Sequence, residues 1–268
     1  MMNYIKFIFS LVKDTWSRQA IWYQLKETYK LQGLSGIIDK SYHVLFHSRS
    51  AAELALNKKI LYDKYTALKP NMLKLKNNIK GFKYLAKISI VMPTYNSNTE
   101  WLSVAIESVR AQIYPHWELC IADDASTNNE CKDLLRKYQK EDNRIRVVFR
   151  NQNGHISNAS NSALETVNGD FVALLDHDDK LPEDALYWIA KTINEKPNSS
   201  LIYSDEDKFD KQGIRSDPYF KCDWNYSLFL SQNMISHLGV YKTSILKKIG
   251  GFRQGYEGSQ DYDLALRF

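Results

Sequence analysis

The groups in this chain best suited to chemistry are clustered carboxylates. Asp176-His177-Asp178-Asp179 places three acids and a histidine in four consecutive positions, and Asp123-Asp124 and Asp205-Glu206-Asp207 form two further clusters. Taken singly, each has an ordinary explanation, because Asp is favoured in turns and at helix N-caps. Several acids gathered at one place repel one another unless a cation bridges them. Mg²⁺ and Mn²⁺ take oxygen ligands, and Mg²⁺ typically shares one or two carboxylates with substrate phosphates. The sequence holds no GxGxxG after its first strand and no GxxxxGK[ST] anywhere. A bound diphosphate would therefore lack a glycine-rich amide cradle and would need a metal as its counter-charge.

The elements that position these acids are legible from apolar periodicity. Segments 88–92, 119–122, 145–149, 171–175 and 200–203 read as short apolar strands. Ser97-Asn98-Thr99-Glu100 is a capping-box pattern, and Leu102, Ala105, Ile106, Val109 and Ile113 follow on one helical face. Leu134, Leu135 and Tyr138 mark a second helix. Ile156, Ala159, Ala163, Leu164 and Val167 mark a third, which Asn168-Gly169 is expected to end. Pro182 is expected at the first position of a fourth, with Leu186, Ile189, Ala190 and Ile193 inward. Alternating strands and helices imply right-handed crossovers and a mostly parallel, doubly wound α/β sheet. Ligands of such sheets bind beyond the carboxyl ends of the strands. Those ends carry Pro93-Thr94-Tyr95-Asn96 and the three acidic clusters.

Composition bounds the rest. At 268 residues, 44% hydrophobic and 25% charged, the chain is an ordinary globular sequence of one or two domains. Cys120, Cys131 and Cys222 form an odd set without a CxxC pair, which excludes a disulfide framework and a cysteine zinc site and favours a reducing compartment. The apolar stretch 7–12 is too short to span a membrane and weak as a signal peptide. The net charge of +5 is uneven: residues 1–87 hold 16 Lys+Arg against 5 Asp+Glu, a net of +11, and the remainder carries a net of −6. Residues 1–87 are expected to be a basic, helical N-terminal extension suited to an anionic membrane surface. A capping-box pattern at 50–53 opens a helical run that Pro70 stops, and Lys74, Lys76, Lys80, Lys83 and Lys87 follow as a linker. The lysines are scattered and form no known nucleic-acid module, so no nucleic-acid partner is expected.

Ile90-Val91-Met92-Pro93-Thr94-Tyr95-Asn96, Ala122-Asp123-Asp124-Ala125-Ser126 and Leu175-Asp176-His177-Asp178-Asp179 resemble, in order and spacing, three signatures of family 2 glycosyltransferases of the GT-A fold. Tyr203-Ser204-Asp205-Glu206-Asp207-Lys208, Gly250-Gly251-Phe252 and Gly258-Ser259-Gln260-Asp261-Tyr262-Asp263-Leu264 continue the resemblance, which spans 88–268. Residues 153–161 are similar to a bacterial subgroup that builds O-antigen, rhamnan and capsule chains, a class that includes lipopolysaccharide. The resemblance implies a GT-A domain over 88–268. It also implies an incomplete acceptor half, because the chain stops at Phe268, inside the helix after Asp261.

The resemblance also implies roles. Pro93 and Tyr95 would line the nucleobase pocket, and Asp124 would accept from a base N–H, which favours a UDP- or dTDP-sugar donor. Asp176 would reach ribose or metal, and Asp178 would ligate the Mn²⁺ or Mg²⁺ that bridges the diphosphate. His155 would touch the diphosphate or base, or else cap the helix that it opens. Asp261 would be the catalytic base on the acceptor hydroxyl, with Asp205, Glu206 and His237 as further donor or acceptor contacts. The implied activity is a metal-dependent, inverting transfer of a sugar from a nucleotide-diphospho-sugar to a lipid-linked or polysaccharide acceptor. Its implied place is the inner face of the cytoplasmic membrane. Two rivals stand beside it: an inactive, truncated nucleotide-sugar-binding protein, and a sugar-phosphate nucleotidyltransferase. The latter would want a Gly-rich signature with Arg and Lys after the first strand, which Pro93-Thr94-Tyr95-Asn96 lacks.

Overall fold

The computed structural model describes residues 70–268, which form one compact unit. The capping-box helix expected after Ser50, and all of the basic extension before Pro70, lie outside the described residues. The stretch 70–87, expected as a linker, carries helix α1 (Met72–Ile79), capped by the Asn71 side chain, which accepts from the Lys74 N–H. Leu75 is buried, and Tyr84 exchanges two hydrogen bonds with Asn194. The lysines masked the signal: Met72, Leu75, Ile79 and Phe82, which pack on the core, recur at helical spacing.

The elements then alternate. β1 (Ile88–Thr94), α2 (Thr99–Arg110), β2 (Trp117–Asp123), α3 (Asn129–Glu141), β3 (Ile145–Phe149), α4 (His155–Glu165), β4 (Phe171–Leu174), α5 (Ala185–Glu195) and β5 (Leu201–Tyr203) follow in order. A hairpin, β6 (Glu206–Phe209) and β7 (Arg215–Tyr219), comes next. The chain closes with α6 (Tyr226–Ser231), β8 (Gly239–Lys242), α7 (Thr243–Lys248) and α8 (Gln260–Arg267). The sheet order is β3-β2-β1-β4-β8-β5, parallel from β3 to β4, with β8 antiparallel to both of its neighbours. The strands inferred from sequence are all present.

Three local expectations differ. The cap of α2 is Asn98 rather than Ser97, and its side chain accepts from the N–H groups of Glu100 and Trp101. Pro182 does not open α5, which starts at Ala185; its carbonyl accepts instead from Gln112 Nε2 and the Ala185 N–H. Gly169 is not a helix cap, since α4 already ends at Glu165. Gly169 serves close approach: its N–H donates to Ser89 Oγ, and an added Cβ would lie 2.4 Å from that oxygen and 2.6 Å from Lys87 O. Gly169→Ala is therefore expected to destabilise the fold by about 1–3 kcal/mol, as overpacking does. A thermal melt checks this, with a fall of about 2–4 °C per kcal/mol in a chain of this size.

Strand alternation splits the core into two layers. Ile88, Ile90 and Met92 face one side with residues of α2, α3 and α5. Val91, Cys120, Ala122 and Val172 face the other with residues of α4, α7 and α8. Each fully buried large aliphatic side chain contributes about 1.5–3 kcal/mol. Helices thus cover both faces, and the carboxyl ends of the parallel strands are left as the open edge.

Candidate functional site

The ends of β1 and β2 interlock. The Asp124 N–H donates to Thr94 O at 2.9 Å, one step past the last paired residues. The Asn96 N–H donates to Ser126 Oγ, and Asn96 Oδ1 accepts from the N–H groups of Thr127 and Asn128. Asn96 and Ala125 make the turns in the left-handed region, at φ 45° and 59°. On this floor Pro93 is half-buried and Tyr95 is 48% exposed. The Asp124 carboxylate is almost wholly buried. It pairs with Arg150 Nε at 2.7 Å and accepts the Gly154 N–H. Asp124 therefore ties β2 to the loop that starts α4, where His155 sits exposed at φ 62°. Sequence reasoning missed Arg150 and Gly154; the signal was the Arg150-to-Gly154 spacing just after a strand.

The second half of the site grows from β4 and β8. Their register pairs Ala173 with Val240, so three residues onward Asp176 lies opposite His237. The register of β5 with β8 pairs Tyr203 with Gly239, and just beyond it Ser204 Oγ accepts the Leu238 N–H and Glu206 Oε2 the His237 N–H from the other side. A tight turn follows Asp176, closed by the Asp179 N–H donating to Asp176 O at 3.2 Å. Such a turn brings its first and fourth residues together. Asp176 and Asp179 accordingly share a side, and Asp178 stands exposed at the corner.

His237 completes the group. Its Nε2 lies 3.8 Å from Asp176 Oδ2 and its Nδ1 lies 3.6 Å from Asp179 Oδ2. One ligand atom from each of Asp176, Asp179 and His237 falls within 4.8 Å of the others. Asp179 Oδ2 and His237 Nδ1 are buried and have no hydrogen-bond partner. Two facing orphans of this kind, one a carboxylate oxygen and one an imidazole nitrogen, form a mixed donor set able to take a divalent metal, the carboxylates suiting hard ions and the imidazole softer ones. Burial raises the pKa of the Asp176 carboxyl, as do the neighbouring charges of Asp178 and Asp261; that of Asp179 is raised by burial and by Asp176, Asp178 and Glu206. A cation would reverse that repulsion.

The remaining sequence candidates divide. Asp205 and Glu206 hold backbone: Asp205 Oδ1 accepts the Lys221 N–H, and Glu206 Oε2 accepts the His237 N–H at 2.7 Å. Asp261 stands half-buried in the first turn of α8, with one carboxylate oxygen accepting from Asn233 Nδ2 at 2.8 Å. Its charge adds a small upward push to the pKa of the Asp176 carboxyl. Asp263, two residues on, is buried between Arg253 and Arg267, whose hydrogen bonds hold its carboxyl below the usual range. Asp263 is thus tied up structurally, and Asp261 is left as the partly accessible acid of α8. Lys221 and Asn233 carried no motif that the sequence reading used.

The sequence profile of the family described as "Glycosyl transferase family 2" matches residues 89–250. An uncharacterized protein of Sinorhizobium fredii, y4gI, is 52% identical over 180 residues, which are 67% of this chain and 20% of the relative. The O-antigen biosynthesis protein RfbC of Myxococcus xanthus is 37% identical over 180 residues, again 67% of this chain and 14% of the relative. The chain therefore spans a fifth or less of the length of these relatives. Among solved structures, S. aureus TarS 1-349 in complex with UDP-GlcNAc superposes with a TM-score of 0.57 at 23% identity, covering 68% of this chain and 52% of that one. The fold is that of the GT-A glycosyltransferases. Among the described residues no helix is long and apolar enough to cross a membrane.

Proposed function

This chain belongs to glycosyl transferase family 2, and from that premise we propose that it is a metal-dependent, inverting glycosyltransferase using a nucleotide-diphospho-sugar donor, UDP- or dTDP-linked. The observation that carries the reading is the convergence of Asp176, Asp179 and His237 on one edge of the sheet, with Asp261 within electrostatic reach. Asp176, Asp179 and His237 would hold Mn²⁺ or Mg²⁺, and Asp178 joins them only if its turn opens. Such an ion supplies charge neutralisation for the leaving diphosphate.

The chain's own residues supply the rest. Tyr95 packs on the nucleobase, beside Pro93. Asp124, whose two oxygens already meet Arg150 and the Gly154 N–H, would accept a base N–H, a contact that suits uracil or thymine, only if the Gly154 loop gives way on binding. His155 lies beside this pocket, at the start of α4. Asp261 takes the proton from the acceptor hydroxyl as the sugar is attacked from the side opposite the diphosphate. The likeness to RfbC, an O-antigen biosynthesis protein, supports a bacterial surface polysaccharide or its lipid-linked precursor as acceptor. Work on such an acceptor would place the protein at the inner face of the cytoplasmic membrane, and the net charge of +11 over residues 1–87 supports attachment there. That attachment is expected to weaken with salt and to need anionic lipid, at about 1 kcal/mol per basic residue near the surface. Equal cosedimentation with neutral and anionic vesicles would remove it.

The activity is tested by incubating the chain with nucleotide-sugars and a polysaccharide acceptor fraction, and by following nucleoside diphosphate release. Release that stops with a chelator, and a product of inverted anomeric configuration by proton NMR, are expected. Nucleotide binding with no release under any donor would mean a binding protein instead. Retained configuration would remove Asp261 as a base acting on the acceptor.

A further inference from the structure

We propose that Lys221 is a positioning residue for His237, holding the histidine in the metal-binding group by gripping the backbone around it. The inference rests on the reading of His237 as a ligand given above. Lys221 follows β7, and its side chain is 1% exposed. A lysine is almost never buried so fully without partners, and an ammonium has three protons to place. Here it finds three acceptors: Ile235 O at 2.5 Å, His237 O at 2.6 Å and Glu206 Oε2 at 3.3 Å. The two carbonyls flank Ser236, which stands at φ 42°, a region that non-glycine residues seldom adopt. The ammonium is the common partner that both carbonyls meet.

Glu206 closes the arrangement from the other side. The same Oε2 that meets the ammonium accepts the His237 N–H at 2.7 Å. Both backbone polar groups of His237 are thus fixed by one ion pair, its C=O by the cation and its N–H by the anion. The root of the lysine is fixed in turn, since its N–H donates to Asp205 Oδ1 at 2.8 Å. Asp205 and Glu206, which follow the end of β5, therefore act on the cluster through the histidine backbone. In a partly dry setting such a pair is electrostatically stronger than at the surface. Partners that orient a metal-binding histidine typically set affinity by about 10–100-fold. The usual orienting contact is to the ring; here it is made to the main chain, and the ring is free to turn its Nδ1 to Asp179 and its Nε2 to Asp176.

The test is a double-variant cycle read as the Kd for Mn²⁺ alone, counted from the free-ion electron paramagnetic resonance signal. Lys221→Met is expected to weaken Mn²⁺ binding about tenfold, within the range for such partners. In a His237→Ala background the same change is expected to alter Kd less than about twofold, because its effect passes through the histidine. Glu206→Ala is run in parallel and takes the place of Lys221→Met should that variant not fold, with the same coupling expected. Loss of affinity that persists in the His237→Ala background overturns the inference, since a general loosening or a change in local charge would act that way. Unchanged Kd in both Lys221→Met and Glu206→Ala also overturns it. If His237→Ala alone binds Mn²⁺ as the parent does, then the reading of His237 as a ligand fails, and that result is distinct from the other two.

Discussion

Asp261→Asn is expected to lose about 10²–10⁴-fold in sugar transfer, the usual contribution of a positioned acid–base group, while binding the donor nearly as the parent does. That loss corresponds to about 2.7–5.5 kcal/mol of transition-state stabilisation, at 1.36 kcal/mol per decade. The substitution keeps size and hydrogen bonding and removes basicity. Asn233 already donates to one carboxylate oxygen of Asp261, which leaves the other to meet an acceptor hydroxyl. A carboxylate is a weak base toward a free sugar hydroxyl. Transfer proceeds if the proton leaves late, once the anomeric carbon has drawn electron density from the bound oxygen. The alternative role for an acid in a first helical turn is interaction with the helix dipole, at about 0.3–1 kcal/mol. That role would appear as a small change in melting temperature with transfer intact. Transfer at the parental rate by Asp261→Asn would end the assignment, and Asp205 would be tested next, because Asp263 is held by Arg253 and Arg267.

His237→Ala and Asp176→Asn are expected to remove the stabilisation that Mn²⁺ lends to nucleotide binding, weakening metal affinity by at least about the 10–100-fold seen for outer partners. The sharper comparison is between Asp178→Asn and Asp179→Asn. The Asp176-to-Asp178 spacing in the sequence assigns the metal to Asp178, and the turn that closes from Asp179 N–H to Asp176 O assigns it to Asp179. Calorimetric titration of Mn²⁺ into each variant separates them. A loss confined to Asp179→Asn supports the closed turn; a loss confined to Asp178→Asn means the turn opens to take the ion. Parental affinity in both His237→Ala and Asp176→Asn would remove the metal from this edge altogether.

The half of the site built from β1, β2 and β4 was legible because each of those strands is a short apolar run with its functional residues directly after it. Local pattern was enough to place Tyr95, Asp124 and Asp176 at one sheet edge. The other half depends on pairing that no local pattern shows. His237 meets Asp176 because β8 runs antiparallel between β4 and β5, and Gly239-Val240-Tyr241-Lys242 is too short to announce that partner. That Asp179 rather than Asp178 shares a side with Asp176 and His237 follows from one turn hydrogen bond, which no local pattern announces. Lys221 was hidden for a different reason. A lysine after a surface hairpin reads as solvated, and only the arrangement of the Ile235 and His237 carbonyls makes it an interior residue.

The measurement that bears most directly on the central claim is a thermal-shift panel of UDP-, dTDP- and GDP-sugars, each with Mn²⁺ and with a chelator. A ligand that binds the native state stabilises it by mass action, by about 2.7 kcal/mol at a concentration one hundred times its Kd. A UDP- or dTDP-sugar with Mn²⁺ is expected to raise the melting temperature by several degrees, an effect largely lost with chelator and in His237→Ala. No shift with any nucleotide-sugar, or a shift of the same size with chelator as with Mn²⁺, would contradict it.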